Sequence, residues 1–386
     1  MYRPTYLKID LNKLKNNITA IKKQYPDYKY YFGVVKGNAY GHGYGILKTL
    51  VESGINYFAV SSLDEAMEIR KKDEKTPILV LEPINLMFCP IVIKNNITIT
   101  LADYDDYLAL KDYNDVSKLK IHLKIDTGMN RLGINDKTQI EEIVHNKKFK
   151  IEGIYTHYST SGKLDKNWDR QLEQFKYLTS GIDLKKIKIV HLGRSITLTN
   201  HKKQEFENGI RLGIIMYGID GRTNYGRGIK GKLRNCKNNL TRKINHISKT
   251  SNDKVDVQPV ITLFSEVMQV RKCKKGSYLG YGTDYKFIND TYIAIVPFGY
   301  FDGASMFDYV YINGKEYRVV GEPCMDMIMV EVDSTVQKGD IVNFIDEENK
   351  EITLKEVCDY SGLSAYRILT GISDRVDRIY VEHQRH

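Results

Sequence analysis

The 386-residue chain is 42% hydrophobic and 27% charged, enough for a large core and, since single cores stop growing near ~300 residues, for more than one domain. No segment approaches the roughly 20 apolar residues that span a bilayer, and five scattered cysteines, Cys89, Cys236, Cys273, Cys324 and Cys358, suit neither a disulfide framework nor a zinc site, so they are read as reduced thiols. The net charge of +10 resides almost wholly between Arg222 and Lys254, where ten Lys/Arg face one acid; read as a surface loop, that stretch gives no reason to expect a nucleic-acid partner.

In chain order, Met1-Tyr-Arg-Pro runs straight into a strand-like Tyr6-Leu-Lys-Ile-Asp-Leu11 with no signal-peptide core, which predicts a cytoplasmic protein. Eight β-prone runs follow: Tyr30–Val35, Tyr57–Val60, Ile78–Leu81, Ile97–Leu101, Ile121–Ile125, Ile151–Thr156, Ile187–His191 and Ile210–Tyr217. Stretches with helical spacing, such as Leu63–Arg70 and Leu172–Leu178, separate most of them, which predicts an α/β fold of the (β/α)8 TIM-barrel type. Beyond Val255 short alternating strands take over, as in Val267–Arg271, Tyr292–Val296 and Met327–Val332. The expected organisation is a barrel over 1–221, whose first strand is free to join the second domain, a basic insertion over 222–254, and a mainly β domain over 255–386.

Chemistry in a parallel barrel collects where strands end. The first run ends in Val35-Lys36-Gly-Asn-Ala-Tyr40-Gly-His-Gly-Tyr-Gly45, a lysine followed by four glycines within nine residues. A buried, desolvated lysine amine has a lowered pKa and forms Schiff bases, and glycines let backbone amides approach an anion such as phosphate. Together they point to pyridoxal phosphate, although a plain turn with a solvent-facing lysine has the same composition. Arg131 follows the fifth run, His157 closes the sixth, and Arg211 lies in the eighth.

Seven motifs carry a family resemblance: Val34-Val-Lys36-Gly-Asn-Ala-Tyr40-Gly-His-Gly43, Leu123-Lys124-Ile-Asp-Thr-Gly-Met-Asn-Arg131-Leu-Gly133, Gly153-Ile-Tyr-Thr-His157, Arg211-Leu-Gly-Ile-Ile-Met-Tyr-Gly218, Gly280-Tyr281-Gly282, Pro297-Phe-Gly-Tyr300-Phe-Asp-Gly303 and Gly321-Glu-Pro-Cys-Met325-Asp326. In this order they resemble the alanine racemases, fold-type III pyridoxal-phosphate enzymes, over nearly the full length. The resemblance implies interconversion of L- and D-alanine, a peptidoglycan precursor, with Lys36 and Tyr281 acting as bases on opposite faces of the substrate Cα. Tyr281 would arrive from the other subunit of a homodimer. It also implies that Lys36 carries the cofactor, that Tyr40, Ser195, Gly213 and Ile214 bind its phosphate, and that Arg211 faces its ring nitrogen. An always-protonated guanidinium there weakens the electron sink and helps suppress transamination. His157 and Arg211 would form a network with Tyr281 that favours its phenolate, with Asp326 in support; Arg131 would contact the cofactor's phenolic oxygen and, with Met325, bind the substrate carboxylate, and Tyr300 would stand at its entrance. Lys124 matches a lysine often carbamylated in the family, and no metal is implied.

Three features depart from the family pattern. Arg194 in His191-Leu-Gly-Arg194-Ser195 stands where an Asn is usual, Asp374 stands where many members place a tyrosine beside the substrate, and the basic stretch is long. The first two border the substrate side chain, so a serine or basic amino-acid racemase remains open, as do a fold-type III decarboxylase and a non-catalytic cofactor-binding protein.

Overall fold

A computed structural model describes residues 2–159, 167–220 and 255–382, so the basic stretch 222–254 lies outside the described residues. All eight predicted runs are strands of one parallel sheet. Numbering the chain's first strand, Tyr6–Asp10, as β1, these are β2 (Tyr30–Val34), β3 (Tyr57–Val60), β4 (Ile78–Val80), β5 (Ile97–Leu101), β6 (Lys120–Lys124), β7 (Ile151–Tyr155), β8 (Ile189–His191) and β9 (Gly209–Leu212). Their order is β8-β7-β6-β5-β4-β3-β2-β9. The seam between β8 and β9 is stitched by the Arg194–Arg211 bridge and by Asn208, whose side chain accepts from Val190 N at 2.9 Å and donates to Lys188 O at 2.9 Å. The result is a nearly closed barrel of the TIM type. Helices Leu63–Arg70 and Asn167–Leu178 fall where the periodicity places them. The first is N-capped by Ser62, whose hydroxyl accepts from Glu65 N.

The remaining strands, β10 (Ile261–Glu266), β11 (Gln269–Cys273), β12 (Thr291–Val296), β13 (Tyr309–Ile312), β14 (Lys315–Val320), β15 (Ile328–Val332), β16 (Ile341–Ile345) and β17 (Asp377–Val381), build a second sheet in the order β11-β12-β15-β14-β13-β16-β10-β1-β17. β1 sits inside it, antiparallel to β10 and parallel to β17, while helix Leu11–Gln24 returns to pack on helix Leu47–Glu52 of the barrel. The chain therefore starts in the second sheet and crosses at once to the first. Asn17 reinforces the crossing by bonding Met216 O at 3.0 Å and Gln258 O at 2.8 Å. The second sheet carries little helix, chiefly Leu354–Ser361 and Ala365–Gly371.

The two halves also meet at Gly41, which has φ +80°, and a Cβ there would lie 2.1 Å from the carbonyl oxygen of Leu369. Both the left-handed backbone and the close approach demand glycine. Gly41→Ala is accordingly expected to lower stability by more than ~2 kcal/mol, read as a reduced denaturation midpoint with unchanged far-ultraviolet dichroism.

Candidate active site

Lys36 leaves the end of β2 and is exposed at the barrel mouth, where the sequence reading expects a buried amine. The packed side-chain layers end with the strand, so the next side chain stands over them. From Gly37 through Asn38, Ala39 and Tyr40 the backbone is left-handed, with φ between +51° and +61°. Such a conformation costs a non-glycine residue about 1–2 kcal/mol and persists where the surroundings over-determine it. Here Ala39 N bonds Val35 O at 2.8 Å and Gly41 N bonds Gly37 O at 2.9 Å. The Glu65 carboxylate accepts from Gly37 N and Ser61 N, both at 2.7 Å, and Asn38 Nδ2 donates to Asp374 at 2.7 Å. Asp374 therefore anchors the turn that carries the lysine.

Four further cations converge on this mouth. Lys124, 5% exposed at the end of β6, is pulled down to about 8 by burial and by the charges of Arg131 and Arg211, with Lys36 adding to the effect. No ion pair joins Lys124 to Asp126 among the described residues. Instead Asp126 Oδ1 accepts from the backbone of Gly128, Met129 and Asn130 at 2.9 to 3.1 Å and so shapes the loop bearing Arg131. His157 is held well below its usual range by burial and by Arg211, Arg194, Arg131 and Lys124. Burial and these cations favour the neutral imidazole, so the positive field at the mouth comes from the arginines and lysines.

Arg211 is 3% exposed and spends four of its bonds inside the barrel. Its Nη1 donates to His191 Nδ1 at 2.6 Å and to His191 O at 2.7 Å, and its Nη2 to Thr156 O at 2.7 Å and Leu192 O at 3.0 Å. Burial draws it down to about 10, so it remains charged at neutral pH. Among the described residues no hydrogen bond joins it to His157, since His191 and main-chain carbonyls take both terminal nitrogens. Nε–H is the donor without a described acceptor.

Beside Arg211, the amide of Gly213 donates to Ser195 Oγ at 2.9 Å. A Cβ on Gly213 would fall 2.8 Å from the Tyr40 hydroxyl. Burial pushes that hydroxyl well up, so it stays protonated and donates. Tyr40, Ser195 and the turn at Gly213 and Ile214 thus form a small recess, within the field of Arg194, that a side chain at Gly213 would fill. The recess, the surplus of cations and the lysine across the mouth fit pyridoxal phosphate, which brings a phosphate, an aldehyde and a ring nitrogen.

The second sheet supplies the remaining predicted residues. Tyr281 stands in the loop between β11 and β12, flanked by Gly280 and Gly282 at φ +68°, and is 70% exposed. No hydrogen bond joins it to Lys36, His157 or Arg211 within the chain. Tyr300 and Met325 are also exposed. Sequence reasoning missed what holds this edge: Asp302, fully buried, receives both Arg3 and Arg375. Burial opposes its charge, but these bonds pull it down to about 2. Arg375 goes on to Asp326 at 2.6 Å and Met325 O at 3.2 Å. Glu65 was missed as well, since Ser62-x-x-Glu65 reads as an ordinary helix start.

Two family models match the chain, the alanine racemase N-terminal domain over residues 9–221 and the alanine racemase C-terminal domain over 260–380. Alanine racemase 1 of Bacillus subtilis is 31% identical, over 99% of this chain and 94% of its own. The crystal structure of alanine racemase from Bacillus anthracis with bound L-Ala-P superimposes with a TM-score of 0.83 at 30% identity, covering 99% of this chain and 96% of that one. A histidine racemase from Leuconostoc mesenteroides shares the fold with a TM-score of 0.82 at 23% identity, covering 98% of each chain. On the matches to both of its parts, the chain belongs to the alanine racemase family.

Proposed function

We propose that the protein interconverts L- and D-alanine with pyridoxal phosphate, and so serves the synthesis of D-alanine for peptidoglycan precursors. The observation that carries this reading is the gathering of Lys36, Lys124, Arg131, Arg194 and Arg211 around a glycine-walled recess at the C-terminal end of a barrel of this family. Pyridoxal phosphate, when bound, supplies an electron sink for the charge left as the Cα proton departs. Tyr40, Ser195, Gly213 and Ile214 would hold its phosphate, and Arg211 would serve its ring nitrogen. Lys36 would carry the cofactor and, as a free amine, would move a proton at one face of Cα. Tyr281 of the partner subunit moves a proton at the other face. Its 70% exposure beside the equally open Tyr278, Ile288 and Phe301 supports a homodimer in which this edge covers the partner's barrel mouth. Arg131 and the backbone at Met325 orient the substrate carboxylate, Tyr300 lines the entrance, and Asp326 acts through Arg375.

Asp374 and Arg194 favour a second reading of the substrate, serine or a basic amino acid, because both place charge beside the recess in this chain. D-isomer formation from a panel of L-amino acids by the purified protein with pyridoxal phosphate decides between them. Alanine is expected to lead; a lead by serine or a basic amino acid overturns the alanine assignment, and release of carbon dioxide without racemisation overturns the reaction. Lys36→Ala and Tyr281→Phe should each abolish turnover. Mixing and refolding the two inactive variants should restore about a quarter of wild-type activity, since half of the dimers are mixed and each has one intact site. No recovery would place Tyr281 in the same chain as its lysine.

The lowered pKa of Lys124 makes its amine reactive toward carbon dioxide, giving a carbamate anion that orients Arg131. At fixed total 13C-bicarbonate, a carbamate resonance should grow as the pH rises toward about 8, where the amine loses its proton, and should be missing from Lys124→Met. Its absence from the wild type would return Lys124 to a plain buried amine.

A further inference from the structure

Parallel barrels are ordinarily filled by branched apolar side chains, yet below Arg211 this one is crossed by a single file of polar groups. His191, whose Nδ1 takes the bond from Arg211, lies with its Nε2 2.9 Å from His122 Nδ1. The Nε2 of His122 faces Glu152 Oε2 at 3.7 Å. The same oxygen accepts from the Tyr57 hydroxyl at 2.9 Å, and Oε1 accepts from Lys188 at 2.6 Å. Both histidines are fully buried and Glu152 is 5% exposed, whereas the Lys188 side chain is 58% exposed. The file climbs the barrel, from Glu152 near the start of β7, through His122 midway along β6, to His191 at the end of β8. Its members have no freedom to turn. His191 is clamped between the rings of Phe32 and Tyr155, at centroid distances of 4.7 and 4.6 Å. A Cβ on Gly153 would come within 2.7 Å of the His122 ring.

The file has a direction. A guanidinium only donates, so Nδ1 of His191 must accept and its single proton sits on Nε2. Nδ1 of His122 must then accept in turn, and its proton sits on Nε2, aimed at the carboxylate. Burial holds both rings neutral, reinforced at His191 by the charge of Arg211. Only one arrangement places an acceptor before every donor, and the carboxylate at the far end selects it.

We propose that His191, His122 and Glu152 are positioning residues: the two histidines form a hydrogen-bonded relay behind the guanidinium of Arg211, and the Glu152 carboxylate, 3.7 Å from His122 Nε2, orders that relay electrostatically from the end of the barrel opposite the active site. Its catalytic consequence rests on the assignment of Arg211 to the cofactor ring nitrogen. In Glu152→Gln the attraction for the His122 Nε2 proton is lost and the relay is ordered from Arg211 alone. The rings then mix their two neutral tautomers, and the guanidinium is held less firmly.

Ring 15N resonances of labelled holoenzyme at neutral pH test the relay directly. Both rings should be neutral with the proton on Nε2. In Glu152→Gln the two rings should show a mixture of Nε2-protonated and Nδ1-protonated forms, kcat should fall about tenfold with little change in KM, and the absorption band of the bound cofactor should shift. A doubly protonated ring, or a proton on Nδ1 in the wild type, overturns the relay even if the variant does not fold. An unmoved band and undiminished kcat in Glu152→Gln, beside a shifted band in Arg211→Lys, overturn the relay and leave the site intact. An unmoved band in Arg211→Lys overturns the assignment of Arg211 and the relay's catalytic consequence with it.

Discussion

The burial of one guanidinium organises this barrel. Removing such a charge from water costs several kcal/mol unless its N–H groups find acceptors. The acceptors of Arg211 are Thr156 O after β7, His191 O and Nδ1 at the end of β8, and Leu192 O just beyond, while Arg211 itself lies in β9. They come together only when β9 closes against β8. Closing the barrel and satisfying the charge are therefore one event, and the Arg194–Arg211 bridge in the seam is its backbone counterpart.

A second consequence is electrostatic. With Arg211 fixed at the top of the barrel and Arg131, Arg194, Lys36 and Lys124 around it, each cation disfavours charge on its neighbours, and this adds to burial, the larger cause, in bringing Lys124 down to about 8 and holding His157 well below its usual range. The nearby acids do little to offset this, because Asp126 is committed to three backbone amides and Glu207 to those of Leu192, Gly193 and Gln204. A ligand bearing a phosphate or a carboxylate relieves the repulsion, so the protein alone is the less stable partner of the complex.

How far the sequence discloses this depends on the range of the interaction. The eight barrel strands are legible because β-prone runs alternate with helical spacing, and Lys36 and His157 are legible because they follow strands, whereas Arg131 and Arg211 are legible through their motifs. Arg3 and Asp302 are 299 positions apart, and no local pattern links them. Glu65 is concealed by its first job as a helix-start residue. His122 and His191 look like any polar residue in a strand until the barrel brings their rings together. The exposure of Lys36 depends on where packing stops, which composition does not encode.

The strained turn after Lys36 shows why two sheets are needed for one lysine. Asn38, Ala39 and Tyr40 each hold a conformation that L-residues avoid, and the barrel's own contribution, chiefly Glu65, the Val35 carbonyl and the Gly43 amide on Asn38 O, leaves the Asn38 side chain unheld. Asp374 holds that side chain, and it belongs to the loop leading into β17, the strand that pairs with β1. The close packing of Gly41 on Leu369 closes the same side. β1 is itself held between β10 and β17, strands distant from it in sequence, so the geometry of the lysine turn depends on residues of both sheets.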